Sequence, residues 1–379
     1  MKDDLIFFVR GPLDPEVRGG GVRSFISFMS YAVGHLDKKI HVWIGNPQFQ
    51  PSQPTLKNAN SDRWIGEIHR YELSVNCGDL LRLIRWFRKS GGNRKLLIFN
   101  SFFDPLGTGI FIFALVISGI RNYEVLISPK GEFSADALTK KRLKKILYMY
   151  CFKVLGIQNI SWIVSSEVER EDLVKSTPFR ILGGRRILCA EDMPHINFDR
   201  SKIDKKRWTG KCCFVGRIAP IKNIEFLIEI LCVDRRLSFD IFGPVEDPKY
   251  LKKLTSMADS VGVADRCRFR GSIEHDLVLD KLAEFEVLLL PSLSENYGHV
   301  IPEALSVGCN VIVGPRTMWS GSEVIVRDFN AQLWAAEIVE ILWGRSVLEK
   351  KAAAQNAFQT AHDFLARSTN SASNFIGNI

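Results

Sequence analysis

Short apolar segments with β-strand character alternate with segments of helical spacing along most of this chain, and the alternation occurs in two series. Strands that are separated by helices cannot pair as hairpins, so each series predicts a parallel sheet with helices on both faces. Residues 191–208, between the two series, are polar and charged and contain one proline, which is typical of an inter-domain linker. The sequence therefore predicts an α/β protein with two doubly wound domains. The predicted strands are Leu5–Val9, Ile40–Ile44, Lys95–Phe99, Glu124–Ile127, Cys212–Val215, Leu237–Phe242, Cys267–Arg270, Val287–Leu290 and Asn310–Val313.

The predicted domain boundaries follow from this linker. Residues 1–200 are the predicted N-terminal domain, residues 201–350 the C-terminal domain, and residues 351–379 a C-terminal segment whose helix could cross back to the N-terminal domain. The last helix is predicted at 347–366, and the small polar residues that follow it indicate a loosely held end. A chain of 379 residues is long enough for two cores of ordinary size.

Composition restricts the class of protein further. With 46% hydrophobic and 25% charged residues, the chain cannot be disordered, collagen-like or a disulfide scaffold. Its eight cysteines include no C-x-x-C pair, which predicts buried free thiols in a reducing compartment rather than zinc ligands or disulfides. The N-terminal sequence is acidic where a signal peptide is basic, so no export signal is expected. Residues 106–120 are apolar for only 15 residues and hold three glycines, which predicts a buried helix and not a membrane span.

The net charge of +9 favours acidic partners such as nucleic acid, nucleotide phosphates or an anionic membrane surface. Two basic segments, Asp79–Lys95 and Thr139–Lys153, concentrate this charge. The second predicts a helix that docks on its domain by an apolar face and turns its lysines to an anionic surface, although an ordinary solvated face explains the lysines equally well. The predicted docking face is Leu143, Ile146, Leu147, Tyr150 and Val154, and the lysines are Lys141, Lys144 and Lys145.

The segment 291–314, PSLSENYGHVIPEALSVGCNVIVG, is the most informative one for function. Pro302 has no N–H and is tolerated only near the start of a helix, so the helix must begin close to residues 299–301. This start places Glu295 on the preceding loop and Glu303 on the first turns of the helix, eight positions further on. Both carboxylates can accept hydrogen bonds from sugar hydroxyls.

The loop that leads into this helix contains Asn296, Tyr297 and Gly298. Such a loop offers unpaired backbone N–H groups and the positive end of the helix dipole, which favour an anion such as a phosphate. His299, which follows the glycine, could touch a ligand or could simply cap or pack the helix start.

The Glu-x7-Glu spacing in a strand, loop and helix, with EALSVGCNVIVG covering its end, resembles the retaining glycosyltransferases of family 4. That family has the GT-B fold, in which two Rossmann-like domains, one on the acceptor side and one that binds the nucleotide sugar, face a central cleft. In the family the second glutamate binds the nucleotide ribose and the first reaches hydroxyls of the donor sugar, which implies Glu303 and Glu295 here. The amides of Asn296, Tyr297 and Gly298 would hold sugar and phosphate. As the alternative, Glu303 only caps its helix or faces solvent on it, and Glu295 is an exposed acid on the loop.

A second segment, FVGRIAPIKNIEF, adds to the resemblance because Arg217 and Lys222 stand where the family's G-R-x4-K motif places its diphosphate ligands. A departing nucleoside diphosphate develops negative charge, and fixed cations in a dry cleft give one of the largest catalytic contributions available. The resemblance therefore implies Arg217, Lys222 and Glu295 as the catalytic residues. A solvated basic loop is the alternative reading of the two cations.

The resemblance covers most of residues 1–345, since residues 127–150 (ISPKGEFSADALTKKRLKKILYMY) and 165–173 (SSEVEREDL) are similar to the family's P-[RK]-G-E-x-S and S-x-x-E segments. A loop of Gly19, Gly20 and Gly21 fits the family's N-terminal glycine loop, whose backbone approaches the donor phosphate. A plain flexible turn explains these glycines equally well.

One departure from the family concerns the histidine that often lies near the donor sugar. The corresponding stretch here is IFNSFFDP, in which Asn100, Ser101 and Asp104 are candidate substitutes.

As a family member, the chain is expected to move a hexosyl group from a UDP- or GDP-linked sugar to a glycan acceptor, such as a lipid-linked oligosaccharide in bacterial O-antigen, capsule or exopolysaccharide synthesis. No metal is expected, since no Asp-x-Asp follows a strand. The resemblance also implies no cofactor and no nucleic-acid partner. The expected location is the cytoplasm, and a peripheral contact with the anionic inner face of the cytoplasmic membrane is a further hypothesis. The alternative from another class is a non-catalytic relative that acts as a membrane-binding or nucleic-acid-binding module.

Overall fold

The structure, a computed structural model, describes most of the chain as two compact units. The first unit comprises Met1–His195 and Ser368–Ile379, and the second comprises Ile196–Arg367. The division after residue 195 lies within the segment predicted as a linker. The described residues are 4–10, 25, 27–28, 31, 39–45, 68–73, 77–89, 94–139, 141–155, 160–193, 196, 198–319 and 324–377.

The first unit contains a parallel sheet. Its strands are β1 Asp4–Arg10, β2 Lys39–Gly45, β3 Ile68–Leu73, β4 Lys95–Phe99, β5 Tyr123–Ile127, β6 Ile160–Val164 and β7 Ile187–Cys189. They lie in the order β3-β2-β1-β4-β5-β6-β7, and each pair is parallel. Every residue of β4 and of β6 is buried, as expected of strands that are covered on both faces. The four strands predicted for this half are therefore confirmed, whereas β3, β6 and β7 were not predicted.

The helices of the first unit surround an aromatic core. The ring of Phe102 packs against those of Phe133, Phe152 and Trp162 at 5.6, 5.0 and 5.6 Å between centroids. The apolar segment at 106–120 forms a π-helical turn and then a helix, as predicted, but the helix is buried on one side only: Phe111, Ile112, Ala114 and Leu115 are buried, while Phe113 and Ile117 are exposed. Within the described part of the chain, no helix is long and apolar enough to cross a bilayer. The helices are α1 Cys77–Lys89, α2 Ile110–Ser118, α3 Ala135–Thr139, α4 Arg142–Val154, α5 Glu167–Lys175 and α6 Thr177–Leu182.

The docking face predicted for α4 is wrong. Met149 and Phe152 are buried at 2% exposure, so they hold the helix to its unit, while Leu143, Leu147 and Val154 of the predicted face are exposed. The sequence carries apolar residues on both sides of this helix, and amphipathic spacing alone does not say which side its neighbours cover.

The second unit contains a parallel sheet in the order β10-β9-β8-β11-β12-β13. Its strands are β8 Cys212–Val215, β9 Phe239–Phe242, β10 Cys267–Gly271, β11 Val287–Leu290, β12 Asn310–Val313 and β13 Val324–Val326. The five strands predicted for this half are confirmed, with β9 starting two residues later than predicted, and β13 was not predicted. The helices are α7 Ser201–Asp204, α8 Glu225–Val233, α9 Pro248–Ser260, α10 Val278–Ala283, α11 Val300–Ser306, α12 Ala331–Val339 and α13 Val347–Gly377.

The loosely held end predicted after residue 366 is also wrong, because α13 continues to Gly377. Ser368, Ala372 and Phe375 recur at helical spacing and are 0, 0 and 4% exposed. The ring of Phe375 packs against Phe28 of the first unit, to which this part of the helix belongs, at 5.4 Å. The residues between these positions are small and polar, so composition alone does not reveal the narrow stripe by which the helix packs.

The cysteines follow the prediction in part. The seven whose side chains are described are all free, but only Cys212, Cys213, Cys267 and Cys309 are buried. Cys151, Cys189 and Cys232 are exposed.

Candidate functional site

The strand order of the second unit fixes where a ligand would bind. β8 and β11 are neighbours, but the chain leaves β8 towards β9 on one side and leaves β11 towards β12 on the other. Ligands of open parallel sheets bind outside the carboxyl ends of the strands, at the point where the strand order reverses. The loops at residues 216–224 and 291–299 both start at this point.

The loop after β8 is held by the loop after β9. Gly243 has φ +146°, and a Cβ there would lie 1.8 Å from the carbonyl oxygen of Gly216, so only glycine allows this approach. The Gly216 N–H donates to the carbonyl of Phe242 at 3.0 Å, and the Ile218 N–H donates to that of Pro244 at 2.9 Å. These contacts support the 3-10 turn Pro220–Lys222, at whose end Lys222 lies.

Lys222 and Glu295, which are 73 positions apart in the sequence, are in direct contact. The Lys222 ammonium donates to Oε2 of Glu295 at 2.5 Å. The hydroxyl of Ser292 donates to the same oxygen at 2.9 Å, and the Leu293 N–H donates to the carbonyl of Ile221 at 2.9 Å. The two loops are therefore joined by both side chains and backbone. The two charged side chains are 13 and 16% exposed, so the pair is partly buried and still reachable from solvent.

The surroundings of Glu295 keep it ionised. Burial acts to raise the pKa of this carboxyl, but the charge of Lys222 and the hydrogen bonds from Lys222 and Ser292 outweigh burial, so the pKa lies below its ordinary value. His299 lowers it further. An ionised carboxylate is an acceptor only, which suits hydroxyl donors and excludes a role as proton donor at neutral pH.

The helix after this loop begins at Val300, within the predicted range 299–301. Gly298 has φ +66°, and a Cβ there would lie 2.9 Å from Cγ of Glu295. The glycine therefore lets the backbone pass directly beside the carboxylate. Glu303 lies on the first turn of α11 and is half-buried, while Pro302 and Ala304 on either side of it are buried.

Tyr297 belongs to the core of the second unit. It is 2% exposed, and its ring packs against His299, Trp319 and Phe364 at 4.5, 5.9 and 5.7 Å. The indole N–H of Trp319 donates to the carbonyl of Tyr297. Among the three residues predicted to offer amides to a ligand, Tyr297 thus also anchors the loop.

Arg217 is not joined to Lys222 by any contact that the described residues show. Its guanidinium instead forms an ion pair with Glu246 from the loop after β9. Both side chains are largely exposed, at 59 and 43%, so the guanidinium can reorient at small cost. Glu246 and Ser292 were missed by sequence reasoning, because their partners are distant along the chain and no spacing indicates them.

In the first unit, Glu169 of the S-x-x-E segment binds backbone groups of the protein itself. Glu169 is 2% exposed and accepts the backbone N–H groups of Gly131 and Ser165, both at 2.7 Å. Ser166 caps the same helix by accepting the Glu169 N–H at 3.1 Å, so the S-x-x-E segment is a variant of the capping box. Burial raises the pKa of Glu169, despite the opposing charge of Lys130.

The candidate substitutes for the family histidine lie at the carboxyl end of β4. The Ser101 hydroxyl donates to Glu132 at 2.5 Å and so is used within the fold, and Asp104 is buried at 2% exposure. Asn100 is 8% exposed, and its role as a substitute for the family histidine stays a prediction. The predicted glycine loop of Gly19, Gly20 and Gly21 lies outside the described residues. Within the part that is described, no group of three or more His, Cys, Asp or Glu side chains is placed to bind a metal ion.

Comparison with known sequences gives a family match within the second unit and partial matches to curated glycosyltransferases. Residues 196–339 match the family Glycosyl transferases group 1. The chain is 30% identical over 190 residues to the D-inositol 3-phosphate glycosyltransferase of Streptomyces bingchenggensis, covering 44% of this chain and 39% of that protein. It is 33% identical over 118 residues to the phosphatidylinositol N-acetylglucosaminyltransferase gpi3 subunit of Schizosaccharomyces pombe, covering 30% of this chain and 25% of that protein. The chain thus spans about two fifths or less of the length of these relatives.

Comparison with solved structures covers nearly the whole chain. Anabaena Alr3699/HepE in complex with UDP and glucose is similar at a TM-score of 0.67 and 14% identity, covering 99% of both chains. WaaG, a glycosyltransferase involved in lipopolysaccharide biosynthesis, is similar at a TM-score of 0.60 and 16% identity, covering 98% of this chain and 99% of that one. At such identities the likeness shows the fold alone, and it confirms the predicted GT-B fold.

Proposed function

We propose that this chain, whose residues 196–339 match the glycosyl transferases group 1 family, is a glycosyltransferase that moves a hexosyl group from a nucleoside-diphosphate sugar to a glycan acceptor. The observation that carries the proposal is the contact between Lys222 and Glu295 at the reversal of strand order in the second sheet. A cation and an acceptor at one point suit a ligand that combines a diphosphate with a hydroxylated sugar.

Lys222 has a definite part in this proposal. An ammonium group has three N–H donors, and Glu295 takes one of them, so the others can serve oxygens of the diphosphate. The pair fixes the ammonium before the donor arrives, which lowers the cost of ordering it during the reaction. Arg217, whose exposed ion pair with Glu246 is weak, would turn to the same diphosphate.

Glu295 and Glu303 would bind the two ends of the donor. Glu295 is ionised and accepts hydrogen bonds from hydroxyls of the sugar, and Glu303 on α11 accepts from the ribose. Backbone amides at Asn296 and Gly298 would complete the contacts with sugar and phosphate.

The chemical step we propose retains the configuration at the sugar carbon. The bond from that carbon to the diphosphate oxygen breaks, the acceptor oxygen attacks from the same face, and its proton passes to the departing diphosphate. Lys222 and Arg217 neutralise the charge that develops, which is the part a metal ion plays in other transferases. This mechanism needs no nucleophile from the protein, whereas Glu295 as nucleophile would form a covalent sugar adduct.

For the acceptor we propose a lipid-linked oligosaccharide of a bacterial surface polymer, handled in the cytoplasm at the inner face of the membrane. Free thiols at the seven cysteines whose side chains are described support a reducing compartment. The likeness to WaaG, described as a glycosyltransferase involved in lipopolysaccharide biosynthesis, supports the polymer class.

The test is release of nucleoside diphosphate by the full chain from a panel of UDP- and GDP-linked hexoses, with the chelator EDTA present and absent. We expect release from at least one donor in both conditions, and about 100-fold slower release by Glu295→Gln and by Glu303→Gln. Lys249→Ala, an exposed lysine of α9, is the matched control and should leave the rate unchanged.

Three outcomes would contradict parts of this proposal. Unchanged rates in both glutamate variants would reject the site. No release from any donor, together with no rise in melting temperature on adding donors, would reject the function and favour a non-catalytic binding module. A product of inverted configuration, or a sugar adduct on Glu295 found by mass spectrometry, would reject the proposed step.

A further inference from the structure

α4 in the first unit turns a stripe of large apolar side chains to solvent. Leu143, Leu147, Tyr150 and Val154 are 83, 66, 52 and 85% exposed. They follow one another at intervals of four, three and four residues, so at about 100° per residue they fall within an arc of about 60°. Contiguous exposed apolar patches, unlike single scattered apolar residues, mark sites of interaction.

The opposite side of α4 is occupied. Met149 and Phe152 are each 2% exposed, and the ring of Phe152 packs against Phe102 at 5.0 Å. Lys145, on the same side, donates to the carbonyl of Ala137 at 2.6 Å. The helix is therefore held firmly to its unit and presents the stripe outward.

Basic side chains flank the stripe on both sides. By helical geometry Lys144 lies about 100° from Leu143 in one direction, and Arg142 and Lys153 lie about 80–100° away in the other. All three are exposed. From residue 137 to residue 166 the sequence contains no aspartate or glutamate, so the positive charge is not offset locally.

We propose that α4 docks this protein on an anionic phospholipid surface, with the stripe at the boundary of headgroups and acyl chains and the flanking cations on lipid phosphates. An exposed apolar stripe with basic side chains on its flanks is the pattern of a helix that lies in the membrane interface. Long basic side chains reach the headgroups while their stems cover apolar surface. A second copy of the chain fits less well, because pairing two such helices brings like charges together.

This inference stands on the exposure and charge of α4 and does not require glycosyl transfer. Together with the proposed function, it means that α4 would bring the protein to the membrane surface that holds a lipid-linked acceptor. Vesicle binding is measured without any sugar donor, so its failure and the failure of the donor-release test are separate results.

The test is co-sedimentation of the full chain with vesicles of phosphatidylcholine alone or with about a third of phosphatidylglycerol. We expect binding to the mixed vesicles and at least about fivefold weaker binding to the neutral ones, with a steep fall on adding salt. Leu143→Ser with Leu147→Ser should weaken binding to mixed vesicles by about tenfold or more, because two apolar side chains leave the interface. Lys144→Glu with Lys153→Glu should remove the preference for anionic lipid.

Matched controls lie in the second unit. Val347 and Leu348 at the start of α13 are 57 and 78% exposed, so their double change to serine removes a similar apolar area elsewhere. Lys249→Glu with Lys252→Glu on α9 repeats the charge change. All four double variants alter exposed side chains and should melt within a few degrees of the unchanged protein.

Two outcomes would overturn the inference. Equal binding by the α4 variants and their controls would assign the membrane contact to another surface. A dimer that is dispersed by Leu143→Ser with Leu147→Ser, without vesicle binding by the unchanged chain, would assign the stripe to a second copy.

Discussion

The two sheets share one strand order through six strands, yet a motif glutamate at the carboxyl edge of each does opposite work. Glu169 in the first unit is 2% exposed and is used to accept backbone N–H groups. Glu295 in the second unit is 16% exposed and is paired with Lys222. The difference teaches that topology places a carboxylate at the edge of each sheet, whereas the groups around it decide whether it holds a loop or, as we propose for Glu295, binds a ligand.

Substitution of a lysine at the edge of each sheet should give the largest expected difference, which is in the rate of nucleoside diphosphate release. Lys222→Ala should slow release of nucleoside diphosphate by about 100- to 1,000-fold, because it removes a fixed cation from the departing group. Lys130→Ala removes the ion-pair partner of Asp192 in the first unit and should change the rate less than about fivefold. Steady-state kinetics with the best donor checks both. Equal losses would show that the edge of the first unit acts in the reaction as directly as that of the second.

The glutamates themselves should differ in stability. Glu169→Ala leaves the N–H groups of Gly131 and Ser165 without their acceptor in the interior, which should lower the free energy of unfolding by about 3 kcal/mol. Glu295→Ala should cost about 1 kcal/mol, since the freed ammonium can take up water. Denaturant titration measures both losses. A loss at Glu295 as large as that at Glu169 would mark the Lys222 pair as a structural element.

Substitution of glycines with positive φ should change the turnover rate less, and it tests the loop beside Glu295 alone. Gly298→Ala puts a methyl group beside Glu295, while Gly271 has φ +79° with open space around it. Both changes should cost about 1 kcal/mol in backbone strain, and only Gly298→Ala should slow turnover, by about tenfold. Melting temperatures report the backbone strain in both variants, and rates report whether Glu295 has been displaced in Gly298→Ala. Loss of activity in Gly271→Ala would indicate that strain alone is responsible.

The sequence predicts most of the strands that are buried on both faces, although the fully buried β6, Ile160–Val164, was missed. Val287–Leu290 and Asn310–Val313 are short apolar runs with turn residues after them, and both were found at the predicted bounds. Ile68–Leu73 was missed because polar residues interrupt its apolar ones, as is usual for the outermost strand of a sheet.

The site was predictable only in part. Pro302 fixed the start of α11, and the glutamate spacing pointed to the loop before it. The contact between Lys222 and Glu295 joins residues 73 positions apart, so it depends on which two strands are neighbours. For the same reason the exposed side of α4 could not be read from its spacing, since tertiary packing chooses the side that is covered.

The pH dependence of stability should distinguish the two glutamates by sign, and this is the smallest effect we expect. Burial raises the pKa of Glu169, so its contribution to stability is fully present below the ordinary pKa of glutamate and is lost as pH rises through the raised pKa. The pKa of Glu295 is lowered by Lys222 and Ser292 against the effect of burial, so its contribution is present above the ordinary pKa and is lost as pH falls through the lowered one.

Melting temperatures of the unchanged chain, Glu169→Gln and Glu295→Gln, taken from about pH 4 to about pH 8, check these signs. The advantage of the unchanged chain over Glu295→Gln should grow as pH rises, while its advantage over Glu169→Gln should shrink. Glutamine keeps the size of each side chain, so the difference between the two trends reports charge and not packing. Trends of the same sign would mean that both carboxylates are held by their surroundings in the same way, and the contrast between the two edges would then lie in Lys222 alone.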